Sequence, residues 1–374
     1  MGKGMSREKA LEITSMTRHQ FYYKPTGGKP GRKKTDTTDR MAKGKFEQVS
    51  NESVIEVMNQ VNADPDTKCG YKRMCAVLML MGYMINRKKV QRLMDENGLL
   101  EPKIRRSPKT YARYRIVTPK GPLHVLEMDI KYVWVDGARR NAFILTVIDT
   151  FTRVVLHWQV GFIMRSVQIK QAWEEVISTH LQENEMLKSE IVIEIRNDNG
   201  PQFASKIIQE FFKENYLNQV FTHPYTPQEN GHIESFHAIL AKALEPSYWS
   251  LAELEKRLEK FYDAYNTIRV HSSTAYLPPQ TFWDAWKYNL ITMKQLPKKR
   301  VKFTLKCSYQ ELSDIMSQRE HLAKLNCAKH ADFNSEGGPA NAEPANTLKP
   351  SVYQLPSVTS CDAKIFNKNQ LETN

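Results

Sequence analysis

The spacing of hydrophobic positions changes near residue 121. Before it, apolar residues recur every three to four positions. Ile55, Met58 and Val61 share one helical face, and Met74, Val77, Leu78 and Met81 share another after the Asp64-Pro65-Asp66 break. Gly82-Tyr83 marks a turn. Asn86 suits the cap of a further helix whose inward face is Val90, Leu93 and Met94, ending near Gly98. From His124 to Trp134 the pattern alternates, with Val125, Ile130 and Val133 among polar neighbours, and residues 142–148 and 154–160 predict two further strands. Residues 166–187 predict a helix with Val167, Ala172, Val176 and Leu181 inward. A fourth strand (191–195), a helix (204–216), a short strand (219–222), a Pro-bearing loop and a long helix starting near Asn230 follow. That order implies an α/β layered domain whose early strands pair as an antiparallel meander. Residues 250–290 are helical and aromatic-rich, and Trp249, Trp283 and Trp286 are expected in the core.

The flanking segments are weaker in pattern. Residues 1–24 predict two short helices, one opened by Ser6 and the other carrying Arg18, Phe21 and Tyr22, as a small helix-turn-helix-like segment. Residues 25–49 and 101–120 read as basic linkers around a helix-turn-helix domain at 50–100. The layered domain spans 121–290, residues 291–330 read as a helical extension, and 331–374 lack periodicity and read as a disordered tail.

Composition narrows the class. A chain of 374 residues with 41% hydrophobic content can bury a real core, which excludes wholesale disorder and a disulfide miniprotein. The five cysteines (69, 75, 307, 327, 361) never form C-x-x-C, so reduced thiols and no zinc site of ordinary spacing are expected. The longest apolar run, Met74 to Ile85, is too short to span a bilayer, and no signal-peptide apolar region opens the chain. Met1 to Ser6 fits a myristoylation pattern but has no second anchor beside it. The expectation is a cytoplasmic protein without a membrane partner.

Charge divides the chain. Residues 1–120 hold 26 Lys or Arg against 12 Asp or Glu, a net of +14, and the other 254 hold 28 against 29, a net of −1. A basic front on a near-neutral body suggests a polyanion-gripping module joined to a body with another task. Arg87, Lys88, Lys89 and Arg92 lie on the second helix of the 50–100 pair and suit a DNA-facing surface, although a solvated helical hairpin would look the same. Lys103, Arg105, Arg106, Lys109, Arg113 and Arg115, with Tyr111 and Tyr114 between them, suit either a phosphate backbone or a solvated linker.

Three carboxylates stand out by context. Asp129 lies mid-strand, Asp198 follows the fourth strand, and Glu234 sits in the first turns of the helix after the Pro loop. Spacing alone does not single them out, since Asp149/Glu185 and Asp284/Glu320 repeat the Asp198–Glu234 separation. Asp198 in N-D-N-G could simply make a turn, and Glu234 could complement a helix dipole. Asp129, on a buried strand, needs a partner. If the three converge they make an oxygen-only pocket suited to Mg²⁺ or Mn²⁺, and a pair of such ions would activate a water or 3′-hydroxyl against a phosphodiester.

The runs H-V-L-E-M-D-I-K-Y-V-W-V (124–135), V-I-D-T-F-T-R (147–153) and R-N-D-N-G-P-Q-F (196–203) resemble the catalytic core of DDE insertion-sequence transposases. So do H-P-Y-T-P-Q-E-N-G-H-I-E-S-F-H-A-I-L (223–240) and Y-N-T-I-R-V-H-S-S-T-A-Y-L-P-P (265–279), and the likeness runs from about 50 to 290. More narrowly, it is similar to the second-reading-frame (OrfB) type, which shares the retroviral-integrase core. The resemblance implies a ribonuclease-H-like mixed sheet flanked by helices, preceded by all-α helix-turn-helix segments. It implies Asp129, Asp198 and Glu234 as the metal-binding catalytic triad, using Mg²⁺, or Mn²⁺ in its place, for strand cleavage and 3′-hydroxyl transfer. Implied partners are element ends and target DNA, further copies of this chain in a synaptic complex, and a companion protein from an upstream frame; the working place would be the nucleoid. The family's basic residue seven positions after the Glu is Ala241 here, with Lys242 next to it as a candidate DNA contact. The front end also lacks the His/Cys set of the retroviral zinc module, having His19, Cys69 and Cys75. His223, His232 and His237 flank Glu234, and His232 and His237 are candidates for DNA contact or ordinary helix surface. Tyr265, Asn266, Arg269 and His271 suit packing or backbone contact rather than chemistry. The rival readings are a ribonuclease-H-like nuclease that cuts without joining and a catalytically silent DNA-binding remnant.

Overall fold

Eleven consecutive residues of alternating contact build the first long strand, and everything else in the body hangs on it. The computed structural model describes residues 5–24, 34–42, 44–102, 119–188, 191–223, 227–297 and 300–317. Arg105, Arg106 and the tail at 331–374 lie outside the described residues.

At the front, α1 (Arg7–Ile13) and α2 (Arg18–Tyr22) are capped by Ser6 and Thr17 and bury no residue, so their apolar side chains form no core of their own. Next comes a hairpin, β1 (Thr37–Ala42) and β2 (Lys45–Ser50), turned at Gly44 with φ 74°. A linker was expected there, because T-T-D-R-M-A and K-F-E-Q-V-S carry few apolar residues. The strands are held by their antiparallel ladder and by docking rather than by two buried faces. The helices α3 (Asn51–Ala63), α4 (Tyr71–Leu80) and α5 (Arg87–Glu96) follow, with β3 (Tyr83–Met84) pairing β1 between the last two. Val54, Met58, Met74, Leu78, Val90, Leu93 and Met94 make their common core, matching the helical spacing of the sequence. Asn86 caps α5 by accepting from the Lys89 N–H at 3.0 Å.

The body is built on β4 (Val125–Val135), β5 (Arg140–Asp149) and β6 (Val155–Gly161), an antiparallel meander. The helix α6 (Ser166–Val176) leads to β7 (Ile193–Asn197), which joins β4 in parallel; α7 (Lys206–Glu214) leads to β8 (Leu217–Phe221), parallel to β7. A 3₁₀ turn (Pro227–Asn230) then opens α8 (Gly231–Ala243), followed by β9 (Ser247–Tyr248), α9 (Leu251–Thr267) and α10 (Pro279–Lys287). The sheet runs β6-β5-β4-β7-β8, with β9 added on β4. Alternation on β4 sorts its side chains by face. Leu126, Met128 and Ile130 pack with α6 and α7 residues such as Trp173 and Phe212, while Val133 and Val135 pack with Phe236 and Leu240 of α8 and Phe261 of α9. A mixed sheet covered by helices on both faces is the expected fold class.

Three local expectations fail. The 166–187 helix stops being α-helical at Val176 and continues as a π-helical turn (Ile177–Gln182), where Ser178 and Thr179 hydroxyls both donate to the Glu175 carbonyl and compete with the regular ladder. Val167 is exposed, and Ile169 and Trp173 take the inward positions instead. Trp249 is 74% exposed, because the adjacent Tyr248 on β9 turns inward and its successor must face out. Trp283 is buried and Trp286 half-buried, as expected.

After α10 the chain forms a second hairpin, β10 (Ile291–Leu296) with β11 (Arg300–Leu305), rather than the start of a helical extension. A helix over 309–317 follows. These pieces gather Phe151, Leu277, Phe282, Ile291 and Leu312 into one core, against which Leu80 of α4 also packs. The front helices thus rest on the body, and a bidentate ion pair from Arg257 of α9 to the buried Asp66 strengthens the contact.

Candidate active site

The parallel ladder of β4 and β7 runs toward the first two acids. The register Val125↔Glu194, Leu126↔Ile195, Glu127↔Arg196 has an offset of 69 residues, the same offset that separates Asp129 from Asp198, two positions beyond the last paired residues. Asp129 lies on the β4 face that looks toward α8. Asp198 sits where β7 ends, and the turn is tied down: Asp198 Oδ1 accepts from Gly200 N–H at 2.9 Å, and Asn197 Nδ2 donates to the Asp198 carbonyl at 2.6 Å. Gln219 of β8 donates to both Asn197 Oδ1 and the Phe203 carbonyl, bracing that turn from the neighbouring strand. The expected turn-making and the siting of a carboxylate are therefore the same feature.

Glu234 lies in the first turn of α8. The helix is not capped by its own N-cap residue, Asn230, whose side chain makes no capping bond. Instead Glu127, fully buried two residues before Asp129, accepts from the backbone N–H of His232 (3.1 Å) and of Ile233 (2.8 Å), and its other oxygen lies 3.0 Å from His232 Nδ1. His237, one turn after Glu234, lies with Nδ1 3.3 Å from Asp129 Oδ2. Both histidines considered for DNA contact are therefore turned toward carboxylates of β4.

The electrostatics tie the three acids to one region. The Asp198 and Glu234 carboxyls are both held above the usual range, first by desolvation and then by the negative charge of Asp129. Backbone donation from Gly200 opposes the shift at Asp198, and His237 opposes it at Glu234. Glu127 is pushed up to about 7, by burial above all, against the pull of the Ile233 N–H, Arg153 and Arg196. As the side chains stand, no three Asp, Glu, His or Cys among the described residues are gathered closely enough to hold a metal ion. The donor chemistry nevertheless suits one: hard oxygens, no thiol, and a repulsion among carboxylates that a divalent cation would relieve.

Asp149, which shares a family-like run, has a different task. It is fully buried, and its oxygens accept from the Leu123, Phe151 and Thr152 N–H groups and the Thr152 hydroxyl, closing the turn after β5. Asn266 exchanges two hydrogen bonds with the backbone of Val155, and Tyr265 packs edge-on against Phe236 and His271. His271, buried beside Arg269, is driven down to about 3 and stays neutral.

The basic residues are distributed less simply. On α5, the Arg87 guanidinium lies over the Tyr276 ring at 4.9 Å, Lys89 Nζ donates to the Thr37 carbonyl at 2.6 Å, and Arg92 pairs with Glu96 at 3.0 Å. Lys88 is exposed. Lys242 is exposed in the last turn of α8; the Glu101 carboxyl is held down chiefly by its hydrogen bond and charge pairing with Lys68, to which the charge of Lys242 adds last. Glu127 and the Asp66–Arg257 pair escaped the sequence reading. The available signal was a charged residue within an apolar strand, on the same face as Asp129.

Comparison with known proteins agrees with this architecture. Two models described as integrase core domain match residues 119–227 and 215–279, and one described as HTH-like domain matches residues 50–108. Among curated relatives, an uncharacterized 39.2 kDa protein of insertion element IS476 from Xanthomonas euvesicatoria is 26% identical over 223 residues, 59% of this chain and 62% of that protein. The chain therefore spans somewhat less than two thirds of that relative. The transposase of IS904 from Lactococcus lactis is 24% identical over 258 residues, 65% of this chain and 97% of that protein. Similar solved structures include the catalytic core domain of BIV integrase, with 18% identity, 45% of this chain, 97% of that chain and TM-score 0.32. Another is the catalytic domain of Mos1 mariner transposase, with 12% identity, 43% of this chain, 74% of that chain and TM-score 0.32. Residues 119–279 thus match integrase core domain models, a match to an HTH-like domain lies ahead of them, and the curated relatives include proteins of insertion elements.

Proposed function

We propose that this protein cleaves DNA strands at the ends of an insertion sequence and joins the freed 3′-hydroxyl to target DNA, with Asp129, Asp198 and Glu234 as its catalytic, metal-holding residues. What supports the proposal is that three acids on three separate elements, a strand centre, a strand end and a helix start, lie near enough for the charge of Asp129 to raise both other carboxyls. Such a cluster is costly without a cation and suited to hold Mg²⁺, or Mn²⁺ in its place, as a pair of ions. When bound, the ions would activate the attacking water or 3′-hydroxyl and neutralise the leaving oxygen. The chain's own part is to hold its carboxylates on rigid elements. The Asn197–Gly200 turn fixes Asp198, α8 presents Glu234, and His237 steadies Asp129 from the side. No helix among the described residues is long and apolar enough to cross a membrane.

DNA is the partner this reading requires. End recognition falls to the 50–100 domain, with Lys88 and Arg92 on α5 and the basic run containing Arg105 and Arg106 as backbone contacts, and Lys242 as a contact near the core. Arg87 and Lys89 would join them once released from Tyr276 and Thr37, as Arg92 would on leaving Glu96. Several copies of the chain would pair the element ends, with an upstream-frame companion adding recognition, and the work would be done on the nucleoid in the cytoplasm.

An in-vitro reaction with Mn²⁺ and a duplex of the element's terminal repeat tests the proposal. Joined product that disappears in Asp198→Asn is expected. Nicking without joining would instead indicate a nuclease, and DNA that is bound but never cut would indicate a silent remnant, the reading that Ala241 in the family's basic position favours.

A further inference from the structure

We infer that Glu127 is a positioning residue for the metal site, locking α8 to β4 so that Glu234 is held at a fixed reach from Asp129. The inference rests on the reading of Asp129, Asp198 and Glu234 as a metal site.

The first N–H groups of a helix need acceptors, and ordinarily a neutral side chain at the N-cap supplies one at a cost of nothing beyond its own ordering. Asn230 occupies that position in α8 and has a suitable side chain, yet it makes no capping bond. The acceptor comes from 105 and 106 residues away: Glu127 Oε2 takes both the His232 and the Ile233 N–H, at 3.1 and 2.8 Å. Glu127 is fully buried, and burying a carboxylate is the expensive way to cap a helix. What the expensive version adds is a tie between two particular elements. Glu127 and Asp129 stand on the same face of β4, two residues apart, which is roughly 7 Å along a strand. At the other end of the tie, Ile233 is the immediate neighbour of Glu234. The path from one proposed ligand to the other thus runs through two residues of strand, one side chain and one residue of helix, with no loop in it. His232 Nδ1, 3.0 Å from Glu127 Oε1, closes the remaining side and keeps the carboxylate from rotating away. Groups that orient ligands in this way commonly change metal affinity by about 10–100-fold when removed.

Reach and charge are separable here. Glu127→Gln keeps the length of the side chain and an oxygen for both N–H groups, and its new amide can donate to His232 Nδ1. Glu127→Asp keeps the charge but withdraws the carboxylate by a methylene, out of reach of the amides.

The test uses the full chain with Asp129→Asn as reference. Mn²⁺ affinity is measured from the free-ion electron paramagnetic resonance signal, and hydrogen exchange is followed at the Ile233 amide. Expected are Mn²⁺ binding lost in Asp129→Asn, within threefold of the unmodified chain in Glu127→Gln, and at least about tenfold weaker in Glu127→Asp, with Ile233 exchange at least about tenfold faster in the latter alone. Wild-type Mn²⁺ binding in Asp129→Asn would defeat the metal-site reading itself. With that reference negative, Glu127→Asp binding within threefold of wild type would overturn the positioning role. So would a folded Glu127→Gln that binds tenfold more weakly, and this second variant decides the matter even where Glu127→Asp fails to fold.

Discussion

A bidentate ion pair ties the front helices to the body, and replacing Arg257 by Met should open the seam between them. Arg257 Nη1 and Nη2 donate to the two oxygens of Asp66 at 2.9 and 2.6 Å, and Nη2 also donates to the Ala243 carbonyl at 2.8 Å. The Asp66 side chain is 1% exposed and that of Arg257 20%. Methionine keeps much of the packing of the arginine stem but leaves a carboxylate buried without its cation. Removing one partner of a buried pair costs about 3–5 kcal/mol, and the partial exposure of Arg257 points to the lower end. At about 1.4 kcal/mol per tenfold, the segment around Asp66 should open roughly 100-fold more often. Hydrogen exchange reads this at Thr67 and Lys68, whose amides donate to the Asp64 carbonyl at 3.1 and 2.9 Å. Their protection should fall by about two orders of magnitude in Arg257→Met while amides in β5 keep theirs. The double variant Asp66→Asn/Arg257→Met should recover most of the loss, because no uncompensated charge remains. A change below threefold in the single variant would refute the claim that this pair closes the seam.

Three further outcomes follow from the same structure. The Asp198 carboxyl is held above its ordinary range by desolvation and by Asp129, so its contribution to stability is complete below the free carboxylate range and is lost as pH rises through the raised value; metal-free Asp198→Asn should therefore melt higher than the unmodified chain at pH 7 and equally at pH 3, and equal melting at pH 7 would contradict the repulsion. Trp173→Ala, which empties a fully buried site against Phe212 and Met128, should cost about 3–5 kcal/mol in urea unfolding, and a loss under 1 kcal/mol would mean that this face of the sheet is not a packed core. Lys88→Ala should weaken DNA binding similarly for all sequences and reduce the salt slope by about 1; an unchanged slope would place Lys88 away from the phosphates.

The sequence made the body legible because its strands are covered on both faces. Alternation on β4 and the apolar runs of β5 and β7 follow from burial, and the caps at Asn86 and Ser6 follow from local hydrogen bonding. Asp129, Asp198 and Glu234 stand out by where they fall on elements, whereas their placement relative to one another depends on a parallel register between strands nearly seventy residues apart, which no local pattern carries. The hairpins β1–β2 and β10–β11 were not legible for the opposite reason. They have few buried positions, and ladder pairing leaves no hydrophobic period to read. Trp249 was misplaced because a large aromatic residue says nothing about which way a two-residue strand turns it. Glu127 was overlooked because its role lies in a bond to amides more than a hundred residues away, and no local pattern carries that. On the basic helix α5 the sequence shows the charges but not that Arg87, Lys89 and Arg92 each have partners within the chain, because those partners lie on other elements or depend on side-chain rotamers.

The claim on which the rest depends is that Asp198 binds the catalytic ion directly, and a change of metal preference tests it. Asp198→Cys replaces a hard oxygen by sulfur, which binds Mg²⁺ poorly and Mn²⁺ far better. Terminal-repeat cleavage by this variant should be absent in Mg²⁺ and recover in Mn²⁺, while Asp198→Asn stays inactive in both. Equal activity of Asp198→Cys in the two metals, or recovery of Asp198→Asn in Mn²⁺, would show that Asp198 does not hold the ion.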